Sequence, residues 1–164
     1  MSCVTEPRSA DADPPDPRRG AAAWDIEPPD KDAMGKPLPR WLAPAVTALL
    51  ADFQHPTPIE LRVGFSVGDN GADWLWLEEP GDPGPFGCEI VPDMRGELLI
   101  LDLARVLQEQ FFLETGQAWG QPRPPCPGHP HPADPALHDA QPWWVCPRDG
   151  HPVAPIGRLA AVLG

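Results

Sequence analysis

Ile59-Glu60-Leu61-Arg62-Val63-Gly64-Phe65-Ser66-Val67 places an apolar residue at every odd position and a polar or small one at every even position. Side chains of a β-strand alternate between faces, so this period of two predicts a strand with one buried face. Gly68-Asp69-Asn70-Gly71-Ala72 supplies turn residues, and Trp74-Leu75-Trp76-Leu77 returns as a second strand with bulk on both faces. Beyond the Gly/Pro-rich loop from Pro80 to Gly87, Cys88-Glu89-Ile90-Val91 reads as a third short strand. A small antiparallel sheet is therefore the expected centre of the fold.

Two helices flank it. Trp41, Leu42, Ala45, Val46, Leu49, Leu50 and Phe53 recur at steps of three and four between Arg40 and Gln54, the stripe of an amphipathic helix. Pro44 is compatible only with its first turn, so the helix proper begins near Ala43. His55-Pro56-Thr57-Pro58 ends it. The second helix follows Pro92-Asp93 and runs from about Met94 to Thr115, with Leu98, Leu99, Leu101, Leu103, Val106, Leu107, Phe111 and Phe112 spread widely around its circumference. So broad an apolar surface belongs between the sheet and the first helix.

The chain divides by composition. Residues 1–36 mix Pro, Asp, Arg and Ala without an apolar period, so they read as a disordered tail. Trp24 and Ile26 interrupt it as an apolar pair suited to folding back on the domain or to docking elsewhere. Residues 37–120 form an acidic α+β domain. Residues 121–164 form a Cys/His-rich, ribbon-like appendage joined through Gln121-Pro122-Arg123-Pro124-Pro125, a stiff connection. The whole is an α+β protein: a small antiparallel sheet packed by two helices, with a C-terminal ribbon-like β-hairpin.

Charge narrows the partners. Of the 24 acidic and 12 basic residues behind the net charge of −12, thirteen acids and only three bases lie in residues 41–120. Phosphate-driven binding of nucleic acid or anionic membrane needs clustered Lys and Arg, so a protein partner of basic character is expected instead. The first residues lack an apolar signal core and no run approaches a membrane span, which predicts a cytoplasmic protein. In a reducing compartment a Cys/His cluster points to metal before it points to a disulfide.

The cluster lies in two Cys-Pro turns, Cys126-Pro127-Gly128-His129-Pro130-His131 and Cys146-Pro147-Arg148-Asp149-Gly150-His151. Between them, Ala136-Leu137-His138 and Trp143-Trp144-Val145 flank the turn Asp139-Ala140-Gln141-Pro142, a small hairpin. Zinc takes about four Cys, His or carboxylate ligands in a tetrahedron, and one tight turn delivers two of them. Cys126, His129 and Cys146 are the leading candidates, His131 competes with His129, and Asp149 competes with His151 for the last position. His138, in the predicted strand, faces away. Cys88 stands alone in the domain, and Cys3 lies in the tail; neither reads as a site residue.

The order turn, strand, turn, strand, turn over residues 123–158 resembles a zinc ribbon, whose knuckles usually read Cys-Pro-x-Cys-Gly. Here His129 and Asp149 stand where the second Cys of each knuckle is usual. The resemblance implies a structural zinc. Elsewhere the chain resembles small proteins of high-GC bacteria, which implies no activity.

Gly64-Phe65-Ser66-Val67-Gly68 fits the G-x-S-x-G pattern, but a nucleophile elbow needs a strand, a sharp turn at Ser and an immediate helix, and Ser66 lies inside an alternating strand. A zinc held by four side chains has no open position with which to activate water. The sequence therefore points to a non-catalytic protein-interaction module with a structural zinc. Its alternative is an acidic inhibitor or immunity-type protein covering a basic site.

Overall fold

A computed structural model describes Met34 and residues 36–81, 84–112 and 116–164. The expected disordered tail, with Trp24 and Ile26, falls outside the described residues except for Met34 and Lys36. The fold is α+β. Helix α1 (Ala43–Phe53) precedes strands β1 (Arg62–Val67), β2 (Asp73–Glu78) and β3 (Phe86–Ile90). Helix α2 (Gly96–Val106) continues as a π-helical turn, Leu107–Phe111, and β4 (Asp134–His138), β5 (Gln141–Val145), β6 (Pro152–Pro155) and the short α3 (Ala160–Leu163) follow. Two antiparallel sheets result, β1-β2-β3 and β4-β5-β6. No helix among the described residues is long and apolar enough to cross a membrane.

The first sheet has the alternation read from the sequence. Phe65 stands opposite Leu75, Val63 opposite Leu77, and Leu75 opposite Cys88. These residues join the core, with Leu75 and Leu77 fully buried. On the other face Trp76 lies between Gly64 and Gly87 in register and donates its indole N–H to Ser66 Oγ at 2.8 Å. A Cβ at Gly87 would come within 2.3 Å of the Trp76 ring, so the ring lies flat only because that position carries no side chain.

Strand β1 starts at Arg62 although the apolar alternation begins at Ile59. The Ile59 N–H donates instead to Gln54 Oε1 at 2.8 Å, closing the chain back onto the end of α1, and Ile59 is buried there. Helix α2 likewise starts at Gly96 rather than Met94. Val91 to Met94 form a turn with Asp93 at φ 61°, and Arg95 is extended. The broad apolar surface expected of α2 is real, with Leu99, Leu101, Leu103, Ala104 and Leu107 buried; Leu98, at 61% exposure, points outward.

The C-terminal sheet shares this core. Cys126, Ala133, Trp144, Cys146, Ala154 and Leu159 belong to the same buried cluster as the residues of α1 and α2. Phe53 of α1 stacks on Phe112 at 4.3 Å and meets the Trp144 ring edge-on at 5.6 Å. Buried polar groups reinforce the join. Asp52 of α1, 1% exposed, accepts hydrogen bonds from Trp144 Nε1 (2.7 Å), the Leu159 N–H (2.9 Å) and the Gly157 N–H. Gly157, at φ 88°, approaches α1 so closely that a Cβ would lie 2.8 Å from Ala48 Cβ.

The connection at 121–125, expected as a stiff spacer, is part of this join. Arg123 is 3% exposed and donates to the carbonyls of Phe53 (2.6 Å), His55 (3.3 Å) and Thr57 (2.8 Å), terminating α1 with a cation on its orphan carbonyl end. Gln108 of the π-helical turn donates to the carbonyls of Arg123 (3.0 Å) and Ala133 (2.8 Å). Residues 121–164 thus pack as one side of a common core.

Candidate metal centre

The β4–β5 hairpin is the frame of the centre. Its turn is a two-residue one, Asp139-Ala140, with φ values of 51° and 59°, the left-handed pair that suits the twist of an antiparallel hairpin. The first Cys-Pro turn leads into β4 and the second leaves β5, so pairing the two strands brings both turns to one end of the sheet. Each turn is closed in the same way. The Cys126 N–H donates to the His131 carbonyl at 3.2 Å, and the Cys146 N–H to the His151 carbonyl at 2.9 Å. Both hexapeptides read Cys-Pro-x-z-x-His, where z is His129 in the first and Asp149 in the second.

Cys126, His129, His131 and Cys146 converge. One ligand atom from each lies within 4.8 Å of all the others. His129 Nδ1 is 3.5 Å from Cys126 Sγ and 3.4 Å from Cys146 Sγ, and His131 Nε2 is 3.9 Å from Cys146 Sγ. The two imidazoles stack, with centroids 4.9 Å apart. Tetrahedral bonds of about 2.3 Å to sulfur and 2.0–2.1 Å to nitrogen put S and N about 3.6 Å apart. The three sulfur–nitrogen separations, at 3.4–3.9 Å, are thus close to those of ligands sharing one ion.

Tautomer and burial fit the same chemistry. His131 Nδ1 lies 2.8 Å from the Pro132 carbonyl, which can only accept, so Nδ1 carries the proton and Nε2 presents its lone pair to the cluster. Cys126 and Cys146 are 2% and 0% exposed, while the two histidines are half-buried. Burial, followed by a hydrogen bond with the Cys146 sulfur and the charges of Cys146, Asp149 and Asp134, pushes the Cys126 thiol up to about 11. A nearby cation favours the thiolate of such a group and opposes that rise.

Asp149 and His151 lie against Cys146, and these three are also within ligand distance of one another. The Asp149 carboxylate accepts from the backbone N–H of His151 at 3.2 Å and pairs with the His151 ring at Nδ1. A hydrogen bond from the Cys146 thiol, then those from His151, hold the Asp149 carboxyl well below the usual carboxylate range. The sequence reading sets His129 against His131 and Asp149 against His151. The structure brings both histidines of the first turn onto the two sulfurs and leaves Asp149 paired with His151 beside Cys146. The sequence reading missed the matched hexapeptides, and aligning the two turns residue for residue is the signal that reveals them.

The other candidates stand apart. His138 packs edge-on against Trp143 at 5.2 Å and lies 3.6 Å from Asp139, away from the cluster. Cys88 is buried in the first sheet, where burial, then the charges of Asp102 and Glu89, push its thiol up to about 12. Such a thiol is protonated and unreactive at neutral pH. Comparison with protein-family models, curated proteins and solved structures returned no match.

Proposed function

We propose that the protein binds a structural zinc ion through Cys126, His129, His131 and Cys146 and acts as a non-catalytic protein-interaction module. The observation that carries this reading is the convergence of two sulfurs and two imidazole nitrogens within 4.8 Å of one another, with three of the sulfur–nitrogen separations at 3.4–3.9 Å. Two thiolates and two imidazoles make a soft-to-borderline donor set that suits zinc better than magnesium or calcium. Four side-chain ligands close the coordination shell, so this ion holds the two turns together and leaves no position at which to activate water.

The proposed partner is a protein with a basic face. Glu60, Asp69, Glu89, Asp93, Glu97 and Glu109 are exposed, which supports an acidic surface on the part of the protein built from residues 41–120. Trp119, 74% exposed, offers an apolar anchor where the chain turns toward the ribbon. An inhibitor or immunity-type role draws on the same exposed acids, and an affinity that collapses with salt, without a contribution from Trp119, would favour it.

Elemental analysis of protein purified without chelator tests the metal. The expected result is at least one zinc per chain, and none in Cys146→Ala. Metal-free wild-type protein that stays metal-free after zinc is added would overturn the reading. A pull-down with mass spectrometry, repeated with Trp119→Ala, tests the partner.

A further inference from the structure

The two Cys-Pro turns carry six donors, and the cluster of Cys126, His129, His131 and Cys146 uses four of them. The two left over, Asp149 and His151, lie on the second turn against Cys146. We propose that Cys146, Asp149 and His151 form a second cation position, open to solvent, in which the Cys146 thiolate bridges two divalent ions. The inference rests on the zinc site above only in sharing that sulfur.

Geometry is the first support. The three ligand atoms lie within 4.8 Å of one another, and the turn that presents them is closed by the same Cys N–H to His carbonyl bond as the turn that serves the first ion. The matched spacing Cys-Pro-x-z-x-His puts Asp149 where the first turn has His129, and His151 where it has His131. Both turns are thus built to offer a sulfur and two further donors. Tetrahedral O and N ligands of one ion lie about 3.3 Å apart, so the Asp149–His151 pair must open by about 0.8 Å as the metal replaces the shared proton. Their side chains, 52% and 48% exposed, are free to make that adjustment.

Charge and exposure then set the character of the site. The thiolates of Cys126 and Cys146 neutralise the first ion, which leaves Asp149 as the only new anion for the second. The second ion is therefore the weaker. Three protein ligands leave at least one position for water or an exogenous donor, unlike the closed first shell. A sulfur, a nitrogen and a carboxylate oxygen select borderline divalent ions such as zinc, cobalt(II) and cadmium over magnesium and calcium.

Cobalt(II) titration of the metal-free full-length protein, followed by its visible spectrum, tests the proposal. The expected result is two equivalents bound in sequence, the second at least about tenfold more weakly, as one uncompensated charge implies. Asp149→Ala and His151→Ala should each remove the second equivalent and leave the first, with circular dichroism unchanged because both residues are exposed. A wild-type titration that ends at one equivalent overturns the second position while leaving the first intact. Loss of the first equivalent in Asp149→Ala also overturns it, by moving Asp149 into the first shell. No binding at all defeats the zinc reading itself.

Discussion

Replacing Asp52 by Asn tests how the two sheets are held to one core. Asp52 Oδ2 accepts from Trp144 Nε1 and the Gly157 N–H, and Oδ1 accepts from the Leu159 N–H, all within a residue that is 1% exposed. Asparagine supplies a single acceptor oxygen. Oriented to keep Trp144 and Gly157, its NH₂ faces the Leu159 N–H, and a buried donor without an acceptor costs about 1–3 kcal/mol. The two bonds that remain change from charge-assisted to neutral, roughly halving their strength, which adds about 1–2 kcal/mol. The expected loss is therefore about 2–5 kcal/mol, a large part of the roughly 5–15 kcal/mol that stabilises a domain. Urea denaturation followed by tryptophan fluorescence measures it, with the metal content held equal. Trp144→Phe removes one donor and should cost less, and the double variant should cost less than the sum, because both changes break the same bond. A loss below about 0.5 kcal/mol for Asp52→Asn would refute the reasoning, since an exposed carboxylate gives that result.

Ala140→Gly should stabilise the protein by about 1 kcal/mol, seen as a higher denaturation midpoint, because Ala140 sits at φ 59° where a Cβ is penalised. Gly87→Ala should destabilise by about 1–3 kcal/mol in the same assay, since its Cβ would overlap the Trp76 ring and force it from its place between the glycines. Stability of the zinc-loaded protein should fall as pH rises above about 9, by roughly 1.4 kcal/mol per pH unit up to about 12, because Cys88 stays protonated in the fold but ionises when unfolded. Cys88→Ala should flatten that slope, and the chain has no Tyr to add to it. Zinc affinity, measured by competition with a chelator, should rise at least about tenfold per pH unit through neutrality, since Cys126, pushed up to about 11, must release its proton to bind.

What the sequence alone determined is what neighbouring residues determine. The alternation from Ile59 to Val67, the stripe from Leu42 to Phe53 and the apolar surface of Leu99 to Leu107 identify strand and helices, because each period follows from backbone geometry over a few residues. The two Cys-Pro turns and the hairpin between them were legible for the same reason. Strand β6 was not, since Pro152 and Pro155 bracket it, and such a segment pairs only as an edge whose partner strand must already be present.

Tertiary structure decided the rest, through residues whose partners are remote. Asp52 reads as one polar position on a helix, yet its three donors lie 92 to 107 residues away. Arg123 reads as a charge in a proline-rich spacer, yet it caps carbonyls 66 to 70 residues earlier. The assignment of ligands follows the same logic. Spacing nominated six donors, but only the pairing of β4 with β5 determines which of them converge, because a side chain's direction in a turn depends on how the whole hairpin twists.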